Sequence, residues 1–338
     1  MIYKNFSLKE YNSFGFDYKA DTFITIKSDN EFFDIVNQKK TFGEPYFILG
    51  GGNNILFTSD FHGVIIHPEI QGISIEEKDN DSVIISAGAG VEWDSLIEWC
   101  VARNFYGLEN LSLIPSSVGA TPVQNIGAYG KEVGEVIDKV VAVDICNGEI
   151  KTFTNEECGF SYRDSVFKRE LKNKYLVIKV VFKLSLKPCF NLSYGLLESE
   201  VNRLGGATLA NIRQAVINIR NSKLPDPKVL GNAGSFFKNP VIDSHEANLL
   251  KEKFPEMPIY NEESGLIKLS AGWLIEKCGW KGKRCGDAGV HEKQALVIVN
   301  YGKATGKQIF ALSEDIKKSV FDKFRIKLTS EVEVVGTI

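Results

Sequence analysis

Ile114-Pro115-Ser116-Ser117-Val118-Gly119-Ala120-Thr121-Pro122-Val123-Gln124-Asn125-Ile126-Gly127-Ala128-Tyr129-Gly130 is the stretch on which the reading of this sequence turns. It is long, irregular and rich in small residues, and no charge falls between Glu109 and Lys131. Loops this long without regular structure are uncommon unless they serve a function, and an ordinary surface loop would carry charge. Small side chains let a backbone lie flat against a flat ligand such as a flavin.

A second glycine-rich loop lies upstream. Gly50-Gly51-Gly52-Asn53-Asn54 is set between Tyr46-Phe47-Ile48-Leu49 and Ile55-Leu56-Phe57, both β-like. Glycines allow close approach of backbone to a pyrophosphate, and successive N–H groups can form an anion nest. The loop is not GxGxxG, and the apolar run after it predicts a strand where a dinucleotide fingerprint requires a helix. Taken alone, it fits a glycine-rich turn equally well.

Strands and helices alternate around these loops. Phe23–Lys27, Gly63–Ile66 and Val83–Gly88 read as strands, and Ser28-Asp29-Asn30 supplies cap chemistry for a helix over about Glu31–Gln38. Trp93, Leu96, Ile97, Cys100 and Val101 recur at the spacing of one buried helical face, predicting a helix over about Glu92–Arg103. Asn147-Gly148 between two β runs predicts a type I′ hairpin turn. Tyr175–Leu186 is a long Val- and Ile-rich β run, and Ile212, Ala215, Val216 and Ile219 mark a further helix. Leu224-Pro225-Asp226-Pro227-Lys228 breaks regular structure and reads as a linker. Beyond it, Ala295–Val299 predicts a strand, Ile309, Leu312, Ile316 and Val320 a helical face, and Leu328–Val335 a closing strand.

Two shorter segments carry chemistry-bearing side chains. In Tyr162-Arg163-Asp164-Ser165-Val166-Phe167-Lys168 the guanidinium of Arg163 can take a carboxylate with two parallel bonds. Read alone, Arg163 is better explained as a surface partner of Asp164 or Glu170. In Gly231-Asn232-Ala233-Gly234-Ser235-Phe236-Phe237-Lys238-Asn239-Pro240 a serine stands between a glycine and two bulky aromatics. A free serine is a poor acid, so proton donation would need a supporting environment. Taken alone, the motif fits a packed turn, and no His–Asp pair accompanies the serine to suggest a hydrolase triad.

The 338 residues exceed one ordinary core, so two or three domains are expected. Hydrophobic residues make up 43% and charged residues 25%, as in globular proteins, and the net charge of -3 gives no reason to expect nucleic acid. Six cysteines form no CxxC pair and four histidines are scattered, so no metal site is expected and the thiols read as reduced and mostly buried. The N-terminus lacks the apolar stretch of a signal peptide, and no run approaches the roughly 20 apolar residues of a membrane span. A cytoplasmic protein without membrane insertion is expected.

Together these segments closely resemble the UDP-N-acetylenolpyruvoylglucosamine reductase family, type I branch. Asn12-Ser13-Phe14-Gly15, ILGGGNN, LIPSSVGATPVQNIGAYG, YRDSVFK, KLPDPK, GNAGSFFKNP, AGWLIEKC and the terminal SEVEVVG occur in family order across nearly the whole chain. Asn191-Leu192-Ser193-Tyr194-Gly195 looks like the tyrosine loop of that branch. The resemblance implies an α+β FAD-binding fold of the vanillyl-alcohol oxidase type in two subdomains, with a separate α+β substrate domain. Residues 1–68, with the terminal 333–338, and 69–222 would hold FAD; 223–332 would hold substrate.

By the same resemblance, non-covalent FAD would rest on Gly50, Gly51, Gly52, Asn53, Asn54, Ile114, Pro115, Ser116, Ser117, Gly119, Ala120, Gln124, Asn125, Gly127, Ala128, Tyr129 and Gly130. Arg163, Ser235 and Glu331 would be catalytic. Ser235 would give the proton, while Arg163 and Glu331 bind and polarise the enolpyruvyl carboxylate. Tyr162, Tyr194, Lys223, Asn239 and Gln294 would line the UDP-sugar site. The implied activity is reduction of UDP-N-acetylglucosamine enolpyruvate by NADPH through FAD, for peptidoglycan synthesis, in a monomer. Glu331, beside a substrate carboxylate, would have to be protonated or pinned by a cation.

Two positions depart from the family pattern. Ser116 stands where the family usually has Gly, and Ser would be strained if that position needs positive φ. Glu333 stands where some relatives have Arg. The alternative is another FAD-dependent oxidase or dehydrogenase of the same fold. Covalent attachment through histidine would favour it, and neither glycine-rich loop contains one.

Overall fold

The Val- and Ile-rich run predicted as one long strand is the centre of a five-stranded antiparallel sheet. The computed structural model describes every residue except 29, 33–44, 263–264 and 338. Most of the helix expected over Glu31–Gln38 lies outside the described residues. The strand Tyr175–Ser185 lies between Ile137–Asp144 and Ser82–Gly88, with Ile150–Thr154 and Ile73–Lys78 at the two edges. Both of its faces are covered, which explains a nearly continuous apolar run in place of alternation. On one face Val177, Val180, Phe182 and Leu184 pack with Trp93, Leu96, Ile97 and Cys100 of the helix Trp93–Val101. On the other, Leu176 and Ile178 join Ile24, Ile26, Val64 and Ile66. These residues belong to the first of two units, Met1–Phe6, Lys19–Gly52 and His62–Ser222. In the same unit the helices Leu197–Arg203 and Leu209–Lys223 bury Leu197, Val201, Ile212, Ala215 and Val216 against each other.

The second unit comprises Ser7–Tyr18, Asn53–Phe61 and Lys223–Ile338. Its main sheet is antiparallel, in the order Gly231–Ser235, Val297–Asn300, Ala288–Val290, Arg284–Cys285. The helix Gly306–Phe324 starts at Thr305, whose hydroxyl accepts the Gln308 N–H. It buries Ile309, Leu312, Ile316 and Val320 in the core of this unit with Phe236, Phe237 and Ile298. Ile55–Phe57 is a strand, as the sequence predicts, and not the helix of a dinucleotide fingerprint.

Three expectations are corrected. The turn at Asn147-Gly148 is not type I′, because only Gly148 has positive φ (77°). Asp144 accepts from the Cys146 N–H at 2.8 Å and the Asn147 N–H at 3.3 Å. The Gly148 N–H returns to the Asp144 carbonyl at 2.9 Å. The aspartate side chain thus winds a wider loop than the Asn-Gly pair would form alone. The closing strand is only Glu333–Val335, parallel to Ile55–Phe57. The residues before it are drawn elsewhere: Thr329 accepts from the Lys238 N–H at 2.9 Å, and Glu331 donates to the Phe236 carbonyl at 2.8 Å. The cysteines are not mostly buried either. Cys100 and Cys158 are, and burial pushes both thiols up to about 12. Cys146, Cys189 and Cys285 are exposed. Among the described residues no helix is long and apolar enough to cross a membrane, and no group of His, Cys, Asp and Glu is placed to hold a metal ion.

Candidate active site

The uncharged loop is held as a shaped surface. Val118 donates to the Val91 carbonyl and Gly119 to that of Ala89, each at 2.9 Å. A Cβ on Gly119 would stand 2.6 Å from the Ala89 Cβ, so this approach requires glycine. The two glycine-rich loops also meet. A Cβ on Gly50 would lie 3.0 Å from the Ala120 Cβ and 3.1 Å from the Ser117 hydroxyl. That hydroxyl is buried and has no hydrogen-bond partner. A cradle that side chains would fill, with an unused hydroxyl in its wall, fits a cofactor bound by backbone contact and polar oxygens.

Ser116 does not have positive φ, so the strain expected there does not arise. Leu113 (58°), Asn125 (44°) and Tyr129 (48°) carry it instead. The Asn125 side chain serves the loop itself. It donates to Glu132 at 2.6 Å and to the Ser161 carbonyl at 3.0 Å, and accepts from the Gly134 N–H at 2.9 Å.

Arg163 sits on a turn closed in both directions between Ser161 and Asp164, at 3.0 and 3.1 Å. Its φ of 54° lies in the left-handed region that arginine rarely adopts. Its guanidinium donates to the Gly127 carbonyl and comes within 3.9 Å of Glu132. Asp164 and Glu170, the partners expected for it, are both engaged by Arg169. Arg163 is thereby held against the uncharged loop at Gly127 and stacked over the Tyr162 ring at 5.2 Å.

The tyrosine loop touches the same surface. The half-exposed Tyr194 ring meets Tyr129 edge-on at 6.0 Å. Burial raises the Tyr129 phenol pKa, with the Arg220 charge opposing. The loop is anchored at its base, where the buried Asn110 amide donates to the carbonyls of Tyr129 (2.8 Å) and Asn191 (2.9 Å).

In the second unit Ser235 and Glu331 are brought together. Ser235 ends the strand Gly231–Ser235, opposite Val297. The next residue, Phe236, accepts the Glu331 N–H at 2.8 Å, and the Glu331 carbonyl accepts from the Asn54 amide at 3.2 Å. Asn239 accepts the Ala271 N–H at 3.0 Å, and Gln294 lies just before Leu296, whose carbonyl accepts the Phe236 N–H at 2.8 Å. Lys223 is exposed at the head of this unit. The serine strand is braced by the Asn12-Ser13-Phe14-Gly15 segment: Asn232 donates to the Ser13 carbonyl at 3.1 Å. A Cβ on Gly231 would lie 2.6 Å from the Phe14 carbonyl oxygen, so this glycine too is required by close packing.

Sequence reasoning missed the groups behind these surfaces. Asp94, Arg213, Arg220 and Asn110 support the loop ends, and no motif marks them. Asp94 and Arg213 are separated by 119 residues along the chain, a distance at which one sequence carries no pairing signal.

Comparison with known proteins gives a consistent family. Residues 226–335 match the family model described as UDP-N-acetylenolpyruvoylglucosamine reductase, C-terminal domain. Residues 20–154 match an FAD binding domain. The chain is 48% identical over 337 residues to UDP-N-acetylenolpyruvoylglucosamine reductase of Flavobacterium johnsoniae, covering 99% of both chains. It is 43% identical over 332 residues to the Bacteroides fragilis protein of that name, covering 98% of this chain and 99% of the other. The crystal structure of UDP-N-acetylenolpyruvylglucosamine reductase from Thermus caldophilus superposes with a TM-score of 0.69 at 23% identity, over 99% of this chain and 98% of that one. The expected α+β FAD-binding fold agrees with these matches.

Proposed function

The chain belongs to the UDP-N-acetylenolpyruvoylglucosamine reductase family, and from that premise we propose that it reduces UDP-N-acetylglucosamine enolpyruvate to UDP-N-acetylmuramate, with NADPH as reductant and FAD between the two. The protein is an FAD-dependent oxidoreductase acting on an enolpyruvyl C=C group, and the product serves peptidoglycan synthesis. FAD held by the glycine-rich loops would supply the two-electron chemistry that links NADPH to hydride addition at C3 of the enolpyruvyl group.

The remaining work falls to side chains. Negative charge develops on the carboxyl side of the double bond. Arg163, fixed by Gly127 and its turn, stabilises that charge most when it is greatest, which lowers the barrier. Ser235 gives a proton to C2 and completes the lactyl ether. Glu331 acts on the substrate carboxylate, its own carboxyl protonated or pinned by a cation at that moment. Tyr162, Tyr194, Lys223, Asn239 and Gln294 line the UDP-sugar site. The glycine-rich loops hold FAD without a covalent bond, through Gly50–Gly52 and the small residues of 114–130. By the family resemblance, 1–68 with 333–338, and 69–222, serve the cofactor, and 223–332 serves the substrate.

The observation that carries this reading is that Ser235 and Glu331, distant in sequence, lie on backbone segments bonded to each other. The test is an anaerobic visible spectrum of the purified protein. NADPH should bleach a yellow flavin, and the enolpyruvyl sugar should restore the colour. Acid precipitation should release all the colour into solution. A protein that NADPH bleaches but the enolpyruvyl sugar does not reoxidise would be a different flavin enzyme.

A further inference from the structure

Leu113 begins the flavin loop with a backbone that leucine disfavours. Its φ is 58°, where the Cβ crowds the following carbonyl. Such a conformation persists only where the surroundings over-determine it. Here they do. The Leu113 N–H donates to Asp94 at 2.6 Å, and its carbonyl accepts from the Arg220 Nε at 3.1 Å. Trp93 adds two bonds to the same segment, from its indole to the Leu111 carbonyl at 3.1 Å and from its backbone to the Ser116 carbonyl at 3.0 Å.

Asp94 is itself held by a fork. Arg213 donates to its two carboxylate oxygens at 2.6 and 2.8 Å, and the two side chains are only 20% and 13% exposed. Burial alone would raise the Asp94 pKa, but the bonds from Arg213 and the Leu113 amide hold it below the ordinary range. Arg213 and Arg220 lie seven residues apart on the helix Leu209–Lys223, so they share one face. One helix thus grips both ends of the Leu113 residue, through Asp94 at the N–H and directly at the carbonyl.

We infer that Asp94 and Arg213 are positioning residues for the cofactor: their ion pair fixes the left-handed Leu113, and Leu113 sets the direction in which the flavin loop leaves. From Leu113 the chain runs to Ser117, with its unused hydroxyl, and Gly119, the close-packed glycine. A peptide rotation at Leu113 would displace both. The inference rests on the reading that this loop holds FAD. The competing explanation is a plain structural tie between the helices Trp93–Val101 and Leu209–Lys223.

The two explanations separate in the holoenzyme. Asp94→Leu removes the acceptor for the Leu113 N–H, whereas Asp94→Asn keeps one. FAD release is read from the rise of flavin fluorescence on dilution, and KM for the enolpyruvyl sugar is read with FAD in excess. Outer partners in metal sites typically change affinity by about 10–100-fold, and a weakening of FAD of about tenfold or more is expected for Asp94→Leu. Asp94→Asn should lose clearly less, and KM for the sugar should stay near that of the parent. Arg213→Lys, which keeps the charge but not the fork, should release FAD at an intermediate rate and serves if Asp94→Leu does not fold. A fall in melting temperature with FAD retained as in the parent, in all three variants, overturns the inference. Gly50→Leu tests the underlying reading, since its side chain would enter the cradle beside Ser117 and Ala120. If Gly50→Leu also kept FAD, the loop assignment would be at fault; if Gly50→Leu lost FAD and the Asp94 and Arg213 variants kept it, only the positioning role would fail.

Discussion

Arg163 allows backbone and side chain to be tested apart, because its turn is strained and its guanidinium is engaged. Arg163→Ala removes the bond to the Gly127 carbonyl and the approach to Glu132, but leaves a Cβ at φ 54°. A hydrogen bond from a charged group contributes about 1.5–3 kcal/mol, and this side chain is mostly shielded, so Arg163→Ala should be destabilised by roughly that amount. Arg163→Gly removes the same groups and also releases the left-handed strain, about 1–2 kcal/mol, against a backbone entropy cost of about 0.5–1 kcal/mol. The glycine variant should therefore be the more stable of the two by about 0.5–1 kcal/mol. With a urea slope of about 2 kcal/mol per molar, that is a midpoint roughly 0.3–0.5 M higher. Tryptophan fluorescence during urea unfolding reads it. Activity should not follow stability. Losing a fixed group that meets developing charge costs about 10²–10³ in kcat, and both variants should fall alike. If Arg163→Gly recovered activity over Arg163→Ala, the turn and not the guanidinium would be the functional element. If it were the less stable variant, the strain argument would be wrong.

Three further outcomes are expected. Ser235→Ala should leave NADPH bleaching of the flavin near normal and slow its reoxidation by the enolpyruvyl sugar by about 10²–10⁴-fold, read by stopped-flow absorbance; equal slowing of both half-reactions would make the serine structural. Tyr194→Phe should weaken binding of the UDP-sugar and leave reduction by NADPH alone, as measured by titration of the flavin spectrum; unchanged affinity would remove Tyr194 from the substrate site. The Asp94 carboxyl is held below its unfolded pKa of about 3.9, so its stabilising effect is full above that value and is lost as pH falls through the folded pKa. Asp94→Asn should accordingly cost stability at neutral pH and flatten the acid limb of a melting-temperature profile, and a parent-like acid limb would contradict the ion pair's contribution.

Periodicity carried most of the fold. The helical faces at Trp93–Cys100 and Ile309–Val320 and the long strand at Tyr175 were legible because burial on one or both faces leaves a repeat in the sequence. The misreadings share a cause: a side chain or a distant segment outbid a local preference. Asp144 reshaped the Asn147-Gly148 loop, and Phe236 and Lys238 drew Glu331 and Thr329 away from a longer closing strand. The site divides in the same way. Glycines that must touch a neighbour, such as Gly50, Gly119 and Gly231, stand out in their motifs. Asp94 and Arg213 do not, because in the sequence each alone reads as an ordinary surface residue on an amphipathic helix.

Positive φ values single out one loop among these features. Among the described residues eight non-glycines have it: Asn5, Asn104, Leu113, Asn125, Tyr129, Arg163, Asn173 and Arg325. Half are asparagines, which tolerate the left-handed region through local side-chain bonds. Arg325 ends the helix Gly306–Phe324, where a left-handed residue is the ordinary cap. That leaves Leu113, Tyr129 and Arg163, for which neither residue type nor helix capping gives a reason. Two of them bound the uncharged loop, and the third bonds to its Gly127. Each is fixed by a partner outside its own turn: Asp94 and Arg220 at Leu113, Asn110 at Tyr129, Gly127 at Arg163. Unfavourable conformations of about 1–3 kcal/mol each are maintained where a surface must be ready before its ligand arrives. Their confinement to the ends and flank of one loop argues that this loop is a preformed binding surface, with its shape held by the residues behind it.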